Sequence, residues 1–252
     1  MNMSRKILAL TLVLLIFSAF TASSQTLDDI LNKYYEARGG YEKVKSVKSM
    51  TTTGKQMVQG MEVPFIIQQK RPNLLRIEAT LQEQTIIQGY DGETTWMINP
   101  LTGSNDPQTL PEEQAKNIIE QADIDGYLVD YKEKGHTVEL IGEEDVEGTA
   151  AYKLKVNLKN GDIRYNYLDA EYFLELKVIA KIKRQDTEIE AVTYYSDYKE
   201  VDGMMMAHSF ETKRGGTTVS QIAVDNIELN VEMDDAIFKI PAKTEKEETP
   251  KQ

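Results

Sequence analysis

Short apolar runs separated by two-residue turn signals constrain this chain more than any other feature. The pairs that tight β-turns favour occur at Asp91-Gly92, Asn160-Gly161, Asp202-Gly203 and Gly215-Gly216. From residue 136 onward the runs between such signals are regularly spaced. The pattern predicts an up-and-down antiparallel sheet, with a type I′ turn at Asp91-Gly92 and no linker that would divide the sheet between two domains.

The stretch from Phe65 to Pro100 shows the alternation of a half-buried sheet. Proline cannot donate to a strand ladder, so Arg71-Pro72-Asn73 predicts a strand end or turn. Residues of alternate parity share a face. One face of the first strand holds Met61, Val63, Phe65 and Ile67, and continues through Gln69 to Arg71. One face of the next holds Leu75, Ile77, Ala79 and Leu81, while Arg76, Glu78 and Thr80 point the other way.

Two amphipathic helices are predicted beside the strands. The first spans Thr26 to Arg38, begins with a capping box and ends at Gly39-Gly40. The second spans residues 110–122 behind a capping box at Thr109, and its narrow stripe of two isoleucines and two alanines indicates a weakly docked, movable cover.

Other segments have simpler predictions. Val44 to Gln59 is expected to form one long strand, bent at Gly54, and Val138–Ile141 a short one. Between turn glycines, Glu143-Glu144-Asp145 is expected to be a solvated loop rather than a carboxylate pair for acid–base chemistry.

The N-terminal segment of the chain predicts export. A short basic segment, an apolar run from Ile7 to Phe20 and Ala22-Ser23-Ser24 form a signal peptide over residues 1–24, cleaved between Ser24 and Gln25, in preference to a permanent anchor. The chain contains no cysteine, so it has no disulfide and no lipid-modified cysteine. A single domain is expected over 25–241, and a charged, disordered tail over 242–252.

Charge and motifs exclude several function classes. The formal net charge of −12 disfavours nucleic acid as a partner. His136 and His208 lie in separate segments, which predicts neither a metal site nor a catalytic triad. Asp123-x-Asp125-Gly126 lacks the later ligands of a calcium loop, so it predicts a helix-ending turn. No catalytic residue, metal or cofactor is expected, and a hydrolase on this β-scaffold is disfavoured.

The predicted fold class is mainly β (α+β). A curved antiparallel sheet of about ten or eleven strands would form an incomplete, half-open β-barrel, because sheets of this size tend to curl. Curling leaves a concave apolar face, and the two helices are its expected covers.

Two motifs resemble those of the LolA family of periplasmic lipoprotein carriers. They are Lys70-Arg71-Pro72-Asn73 and Asp91-Gly92-x-Thr94-x-Trp96-x-x-Asn99-Pro100, and Phe238-Lys239-Ile240-Pro241 is similar to the family's last strand. The resemblance implies a half-barrel with a helical lid over a hydrophobic cavity. It also implies a carrier that takes lipoprotein acyl chains from an inner-membrane release complex to an outer-membrane acceptor. Arg71 matches the arginine that bonds backbone carbonyls of the lid.

The functional hypothesis is therefore a soluble, monomeric periplasmic carrier that binds acyl chains of lipoproteins or other lipids. The alternative is an envelope sensor or protein-binding module on the same fold, for which a filled interior would be evidence. The candidate binding residues are Phe65, Ile67, Arg71, Leu75, Ile77, Leu81, Trp96, Ile118 and Ile119, with Arg71 as lid latch. Three alternatives to a role in binding remain open. They are an exposed turn position for Arg71, packing within the barrel for Trp96, and core filling for Met204-Met205-Met206. The region between Asp123 and Tyr152 is longer than in the best-known carrier of the family, and Leu75 and Ile77 stand where that carrier has aromatic residues. The resemblance therefore does not identify the cargo.

Overall fold

The structure is a computed structural model that describes residues 25–243 apart from 185 and 186. The predicted signal peptide and residues 244–252 of the predicted tail lie outside this range. The α-helices are α1 (Leu27–Ala37), α2 (Tyr41–Ser46) and α3 (Glu112–Gln121), and 3-10 turns span Pro100–Thr102 and Asp235–Phe238. No helix among the described residues has the length and apolar character needed to cross a bilayer.

Thirteen strands form one antiparallel sheet. The strands are β1 (Ser49–Val58), β2 (Met61–Lys70), β3 (Leu74–Leu81), β4 (Gln84–Tyr90), β5 (Thr95–Ile98), β6 (Gln108–Thr109), β7 (Thr137–Val146), β8 (Thr149–Asn157), β9 (Ile163–Asp169), β10 (Glu175–Arg184), β11 (Thr187–Val201), β12 (Met204–Arg214) and β13 (Thr217–Leu229). Their spatial order is β6-β5-β4-β3-β2-β1-β13-β12-β11-β10-β9-β8-β7. Two meanders thus join where β1 pairs with β13, and β6 and β7 are the free edges of a curved, open sheet, as the sequence predicted.

Helices cover the concave face of both arms. Helix α1 buries Ile30, Leu31 and Tyr34 in a cluster with Leu154 and Leu168 of β8 and β9. Helix α3 buries Ile118 with Leu75, Tyr90 and Ala122 above β3 and β4. The predicted capping box of α1 is confirmed, because Thr26 Oγ1 accepts from the Asp29 amide and the Asp29 carboxylate accepts from the Thr26 amide.

Two glycines permit close packing inside the sheet. At Gly54, where the β1–β13 register shifts, a Cβ atom would lie 2.3 Å from the Ala223 carbonyl oxygen and 2.8 Å from the Phe65 ring. The register shift is an irregularity of the β-bulge kind at the glycine where the sequence predicted a bend. At Gly89, a Cβ atom would lie 2.3 Å from the ring of Trp96, the cross-strand partner.

Helical predictions need two corrections. The strand expected from Val44 begins only at Ser49, because Gly40 starts α2 instead and Val44 packs with Val47, Val129 and Met204. Helix α3 is present, but Thr109 does not cap it. Thr109 lies in β6 opposite Trp96, and the N-cap position is Pro111, which makes no side-chain capping bond.

Strand and turn predictions need three corrections. The Asp91-Gly92 hairpin is present but is not type I′, because only Gly92 has positive φ and Asp91 Oδ1 accepts from the Glu93 and Thr94 amides. The segment Glu143-Glu144-Asp145 belongs to β7, which is far longer than Val138–Ile141, and its exposed charges suit an edge strand. The segment Phe238–Pro241 is not a strand, because Phe238 ends a 3-10 turn and the next three residues form no regular element.

Candidate binding cavity

A cavity of about 760 Å³ lies between the concave face of the sheet and its covers. Its apolar wall follows from strand parity, because inward-facing positions of β1–β4 and β11–β13 alternate with outward-facing ones. From the first arm it is lined by Met50, Phe65, Ile67, Ile77, Ala79 and Ile86. From the second arm it is lined by Met205, Met206, Phe210, Ile222, Val224 and Ile227.

The roof of the cavity is the segment 121–128, between α3 and the chain that leads to β7. Polar bonds fix this irregular backbone. The Tyr35 hydroxyl donates to the Leu128 carbonyl (2.9 Å), Arg38 to the Asp125 carbonyl (3.1 Å) and Lys134 to the Gly126 carbonyl (2.8 Å). The sequence predicted only a helix-ending turn here, so the roof was missed.

One end of the cavity is polar. Arg38 reaches it from the end of α1 and donates to the Tyr34 hydroxyl at 3.1 Å. Glu175, at the start of β10, accepts from Asn166 Nδ2 at 3.0 Å, and its backbone carbonyl accepts from the Tyr198 hydroxyl at 2.8 Å. Together with Tyr127 and Tyr195, these groups form what we call the polar end: Tyr34, Arg38, Tyr127, Glu175, Tyr195 and Tyr198.

Burial dominates the protonation equilibria of the polar end. It raises the pKa of Glu175 above the usual value of a glutamate, and the Arg38 guanidinium and the Asn166 amide only partly offset this. Burial also raises the pKa values of Tyr195 and Tyr198, and the Glu175 carboxylate raises them further. These groups therefore sit close enough to influence one another across the cavity.

Arg71 holds two covers in place. Its guanidinium donates to the backbone carbonyls of Val44 and Val47, at the end of α2, and forms a two-bond pair with the Asp125 carboxylate of the roof. Lys45 Nζ lies 2.9 Å from Asp125 Oδ2 and 2.7 Å from Asp130 Oδ2. Arg71, Asp125, Lys45 and Asp130 are called the closure network below.

Asp125 is the buried centre of the closure network, with only 3% of its side chain exposed. Burial alone would raise its pKa, but hydrogen bonds from Arg71 and then Lys45 outweigh burial and lower the pKa to about 2. The hydrogen bond to Asp130 raises the pKa of Lys45. All these groups are charged at neutral pH, so the network is a stable ionic tie between α2, the β2–β3 turn and the roof.

A second ionic tie links α3 to the far arm of the sheet. Arg164 Nη2 of β9 lies 2.8 Å and 3.1 Å from the two carboxylate oxygens of Glu120. On the near side, Gln69 Nε2 of β2 donates to the Gln121 carbonyl at 2.6 Å. The end of α3 thus bridges the gap that the open sheet leaves between its arms.

The structure brings only some of the predicted binding residues together. Phe65, Ile67 and Ile77 line the cavity. Leu75 and Ile118 pack between α3 and the sheet, and Ile119 of the same helix is 44% exposed. Leu81 ends β3 and does not line the cavity.

Trp96 and Arg71 also lie outside the cavity wall. Trp96 is fully buried on the convex face, where its Nε1 donates to the Phe238 carbonyl at 2.8 Å. Barrel packing, one of the two alternatives stated for Trp96, therefore describes it. Arg71 is not an exposed turn residue, since three acceptor groups hold it, but its side chain acts on the covers.

Several lining residues were not predicted, although some left a signal in the sequence. Tyr34 and Arg38 are four residues apart, so they extend the apolar stripe of α1 toward the cavity. The alternation of inward-facing and outward-facing residues in β13 also indicates that Ile222 and Val224 face the cavity. Glu175 left no signal, because its position follows from the turn between β9 and β10.

Neither histidine lies at the cavity. His208 Nδ1 lies 2.9 Å from the Met206 carbonyl, and His136 Nδ1 accepts from the Lys159 amide at 3.0 Å. Within the described ranges, no three His, Cys, Asp or Glu side chains are grouped as metal ligands would be.

The sequence matches no protein-family model and no curated protein. Solved structures do match. A LolA superfamily protein from Nitrosomonas europaea superposes with a TM-score of 0.60 at 14% identity, over 86% of this chain and 98% of that chain. The fold is LolA-like.

Two further structures have the same fold. A DUF1329 family protein from Desulfovibrio piger gives a TM-score of 0.58 at 14% identity, over 83% of this chain and 97% of that one. A putative outer membrane lipoprotein-sorting protein domain from Vibrio parahaemolyticus gives 0.56 at 10% identity, over 83% and 94%. At these identities the LolA-like fold is what the proteins share.

Proposed function

We propose that this protein is a soluble carrier that binds acyl chains in the cavity and moves them across the periplasm. The observation that carries the proposal is the covered apolar cavity of about 760 Å³. Its volume falls within the range of about 300–1,000 Å³ found for small-molecule sites. Each methylene moved from water into such a cavity contributes about 0.8 kcal/mol, so an acyl chain needs no other anchor.

The arrangement of the covers supports reversible binding. Helix α3 buries few apolar side chains, and ionic and hydrogen-bonded ties help to hold the roof and α2 in place. Polar ties of this kind can be broken and re-formed at modest cost, because water replaces the lost partners. Loading and release would therefore require movement of α3, α2 and the roof while the sheet stays intact.

The proposal includes the cellular setting. The signal peptide over 1–24 would deliver a single lipid-binding domain, 25–241, with its charged tail to the periplasm as a monomer. The cargo would be acyl chains of lipoproteins or other lipids, taken from an inner-membrane release complex and passed to an outer-membrane acceptor. No catalytic step or cofactor is part of the proposal.

An open cavity supports the carrier over the alternative of a sensor or protein-binding module, for which a filled interior was the expected sign. The test is purification from the native host, followed by lipid extraction and mass spectrometry. We expect an acylated ligand in stoichiometric amount, and displacement of a bound fluorescent fatty acid by added lipid. Absence of both would refute the carrier.

A further inference from the structure

The polar end of the cavity holds two opposite charges that do not pair with each other. Arg38 and Glu175 both line the cavity, and among the described residues neither belongs to a salt bridge. Arg38 donates to two neutral oxygens, the Tyr34 hydroxyl and the Asp125 carbonyl. Glu175 accepts from a neutral amide, that of Asn166. The site therefore offers a donor and an acceptor to a molecule in the cavity.

We propose that the polar end is a subsite for the uncharged polar head of an acyl lipid, one that combines an ester or amide carbonyl with a hydroxyl or N–H group. The carbonyl would accept from Arg38, and the hydroxyl or N–H would donate to Glu175. This inference rests on the proposed function and adds the class of head group that the cavity takes. An acylglycerol and an N-acyl amide share this chemistry.

Charge balance argues against a charged head. A carboxylate or phosphate that reached Arg38 would also face the half-buried Glu175, and an ammonium group that reached Glu175 would also face Arg38. A zwitterionic head would match both charges, but it would have to lose water from two ions of its own. An uncharged head satisfies both groups and brings no new charge into the cavity.

The tyrosines add groups that suit an uncharged head. A phenol hydroxyl can both donate and accept, so it adapts to either end of an ester, amide or hydroxyl. Tyr34 and Tyr195 line the same end of the cavity, and Tyr195 packs edge-on against Phe210 with ring centroids 5.3 Å apart. Burial raises the pKa values of both phenols, so their protons remain available as donors at neutral pH.

The test compares head groups on one acyl chain. Binding of a monoacylglycerol, an N-acyl amide, the free fatty acid and the lysophosphatidylethanolamine is measured by calorimetry for the parent protein and for Glu175→Gln. The matched control is Glu228→Gln, which changes an exposed glutamate on β13. The first two lipids also distinguish the two sources of uncharged head.

We expect the parent protein to bind the uncharged heads about tenfold more tightly than the fatty acid, a ratio that one charged hydrogen bond supports. Glu175→Gln should abolish this preference, because the fatty-acid carboxylate then meets only Arg38. Glu228→Gln should leave it unchanged. Tyr195→Phe keeps the contact with the Phe210 ring and removes the hydroxyl. It should weaken binding of the lipids with uncharged heads severalfold and leave binding of a plain alkane of the same chain length unaffected.

Failure of this inference differs from failure of the proposed function. If acyl lipids bind but charged or zwitterionic heads are preferred, or if the preference survives both substitutions, the subsite is refuted and the carrier stands. If no acyl lipid binds the parent protein, the carrier is refuted and the subsite with it. Thermal unfolding of each variant confirms that the comparison is made on folded protein, and Tyr195→Phe decides the question if Glu175→Gln does not fold.

Discussion

Asp125 is the residue on which closure of the cavity depends most. Its carboxylate receives two bonds from Arg71 and one from Lys45 while it is almost wholly buried. Removing one partner of such a group leaves the others buried and uncompensated, which costs several kcal/mol. Arg71 alone also holds the carbonyls of Val44 and Val47, so the same guanidinium serves both α2 and the roof.

The lowered pKa of Asp125 predicts how stability depends on pH. The pKa is 3.8 for an ordinary aspartate and about 2 here, so the ionised carboxylate favours the folded state. Its contribution, about 2.5 kcal/mol by linkage, is complete above pH 4 and is lost as the pH falls from about 4 to about 2. Urea unfolding between these pH values should show this loss for the parent protein. It should show a flatter profile for Asp125→Asn, although that variant is less stable at pH 7.

Asp123→Asn is the control for this experiment. Asp123 lies two residues away in the same segment and pairs with Lys134, but 29% of its side chain is exposed. Its substitution should leave most of the acid-dependent loss in place. If Asp125→Asn keeps the full pH dependence of the parent protein, the closure network does not contribute as described.

The sequence predicts the role of Arg71 in the closure network but not that of Asp125, and the reason is physical. Arg71 could be assigned to the covers from its motif and from the parity of β2. Asp125 could not, because its partner lies 54 positions away and its own surroundings read as a turn. Arg38 and Glu175 are the same kind of case, since only the folded sheet and its covers bring them to one end of the cavity.

The C-terminal segment from Val231 to Phe238, called the strap, crosses the convex face of the sheet. Ser49 Oγ of β1 donates to the Val231 carbonyl, Lys70 of β2 to the Met233 carbonyl, and Arg76 of β3 to the Ile237 carbonyl at 3.0 Å. Trp96 of β5 then donates to the carbonyl of Phe238, whose side chain is fully buried. The strap therefore ties together the first arm of the sheet, from the side opposite the cavity.

Truncation of the strap should be visible through the chain's single tryptophan. Removal of residues 234–252 uncovers Trp96 and leaves its Nε1 without the Phe238 carbonyl, so its fluorescence emission should shift to the red. Stability should fall by about 3 kcal/mol or more, from the lost burial of Phe238 and the lost hydrogen bond. Removal of 244–252 alone is the control and should change neither emission nor the urea midpoint. Unchanged emission after the longer truncation would contradict the role of the strap.

Elements with a strong period were predicted well, and elements defined by their neighbours were not. Alternation in β2 and β3 gave the inward faces correctly, because every second residue meets the same environment. Helix α2 was missed, since it has six residues and buries only Val44. The cap of α3 was wrong because pairing with Trp96 takes Thr109 into β6, an interaction that local sequence does not encode.

At the scale of the whole molecule, closure comes from side chains rather than from the sheet. Among the described residues the hydrogen-bonded order of strands ends at β6 and β7, so these two free edges do not pair with each other. Glu120 of α3 and Arg164 of β9 join the arms instead. Burial raises the pKa of Glu120, and Arg164 offsets this only in part, so the pair is weaker than its geometry suggests. An ion pair with this desolvation cost is suited to a gap that must open.

Locking this gap should trap a ligand. The chain has no cysteine, so Glu120→Cys with Arg164→Cys gives one pair of thiols that a bismaleimide can join. Protein loaded with an acyl lipid and then cross-linked should release the lipid at least about tenfold more slowly, because α3 can no longer leave β9.

The control is the same double variant capped with a monofunctional maleimide, which removes the ion pair equally and leaves α3 free. This control should release lipid faster than the parent protein. Equal release from the cross-linked and the capped protein would mean that the ligand leaves by another route and that α3 is a fixed part of the wall.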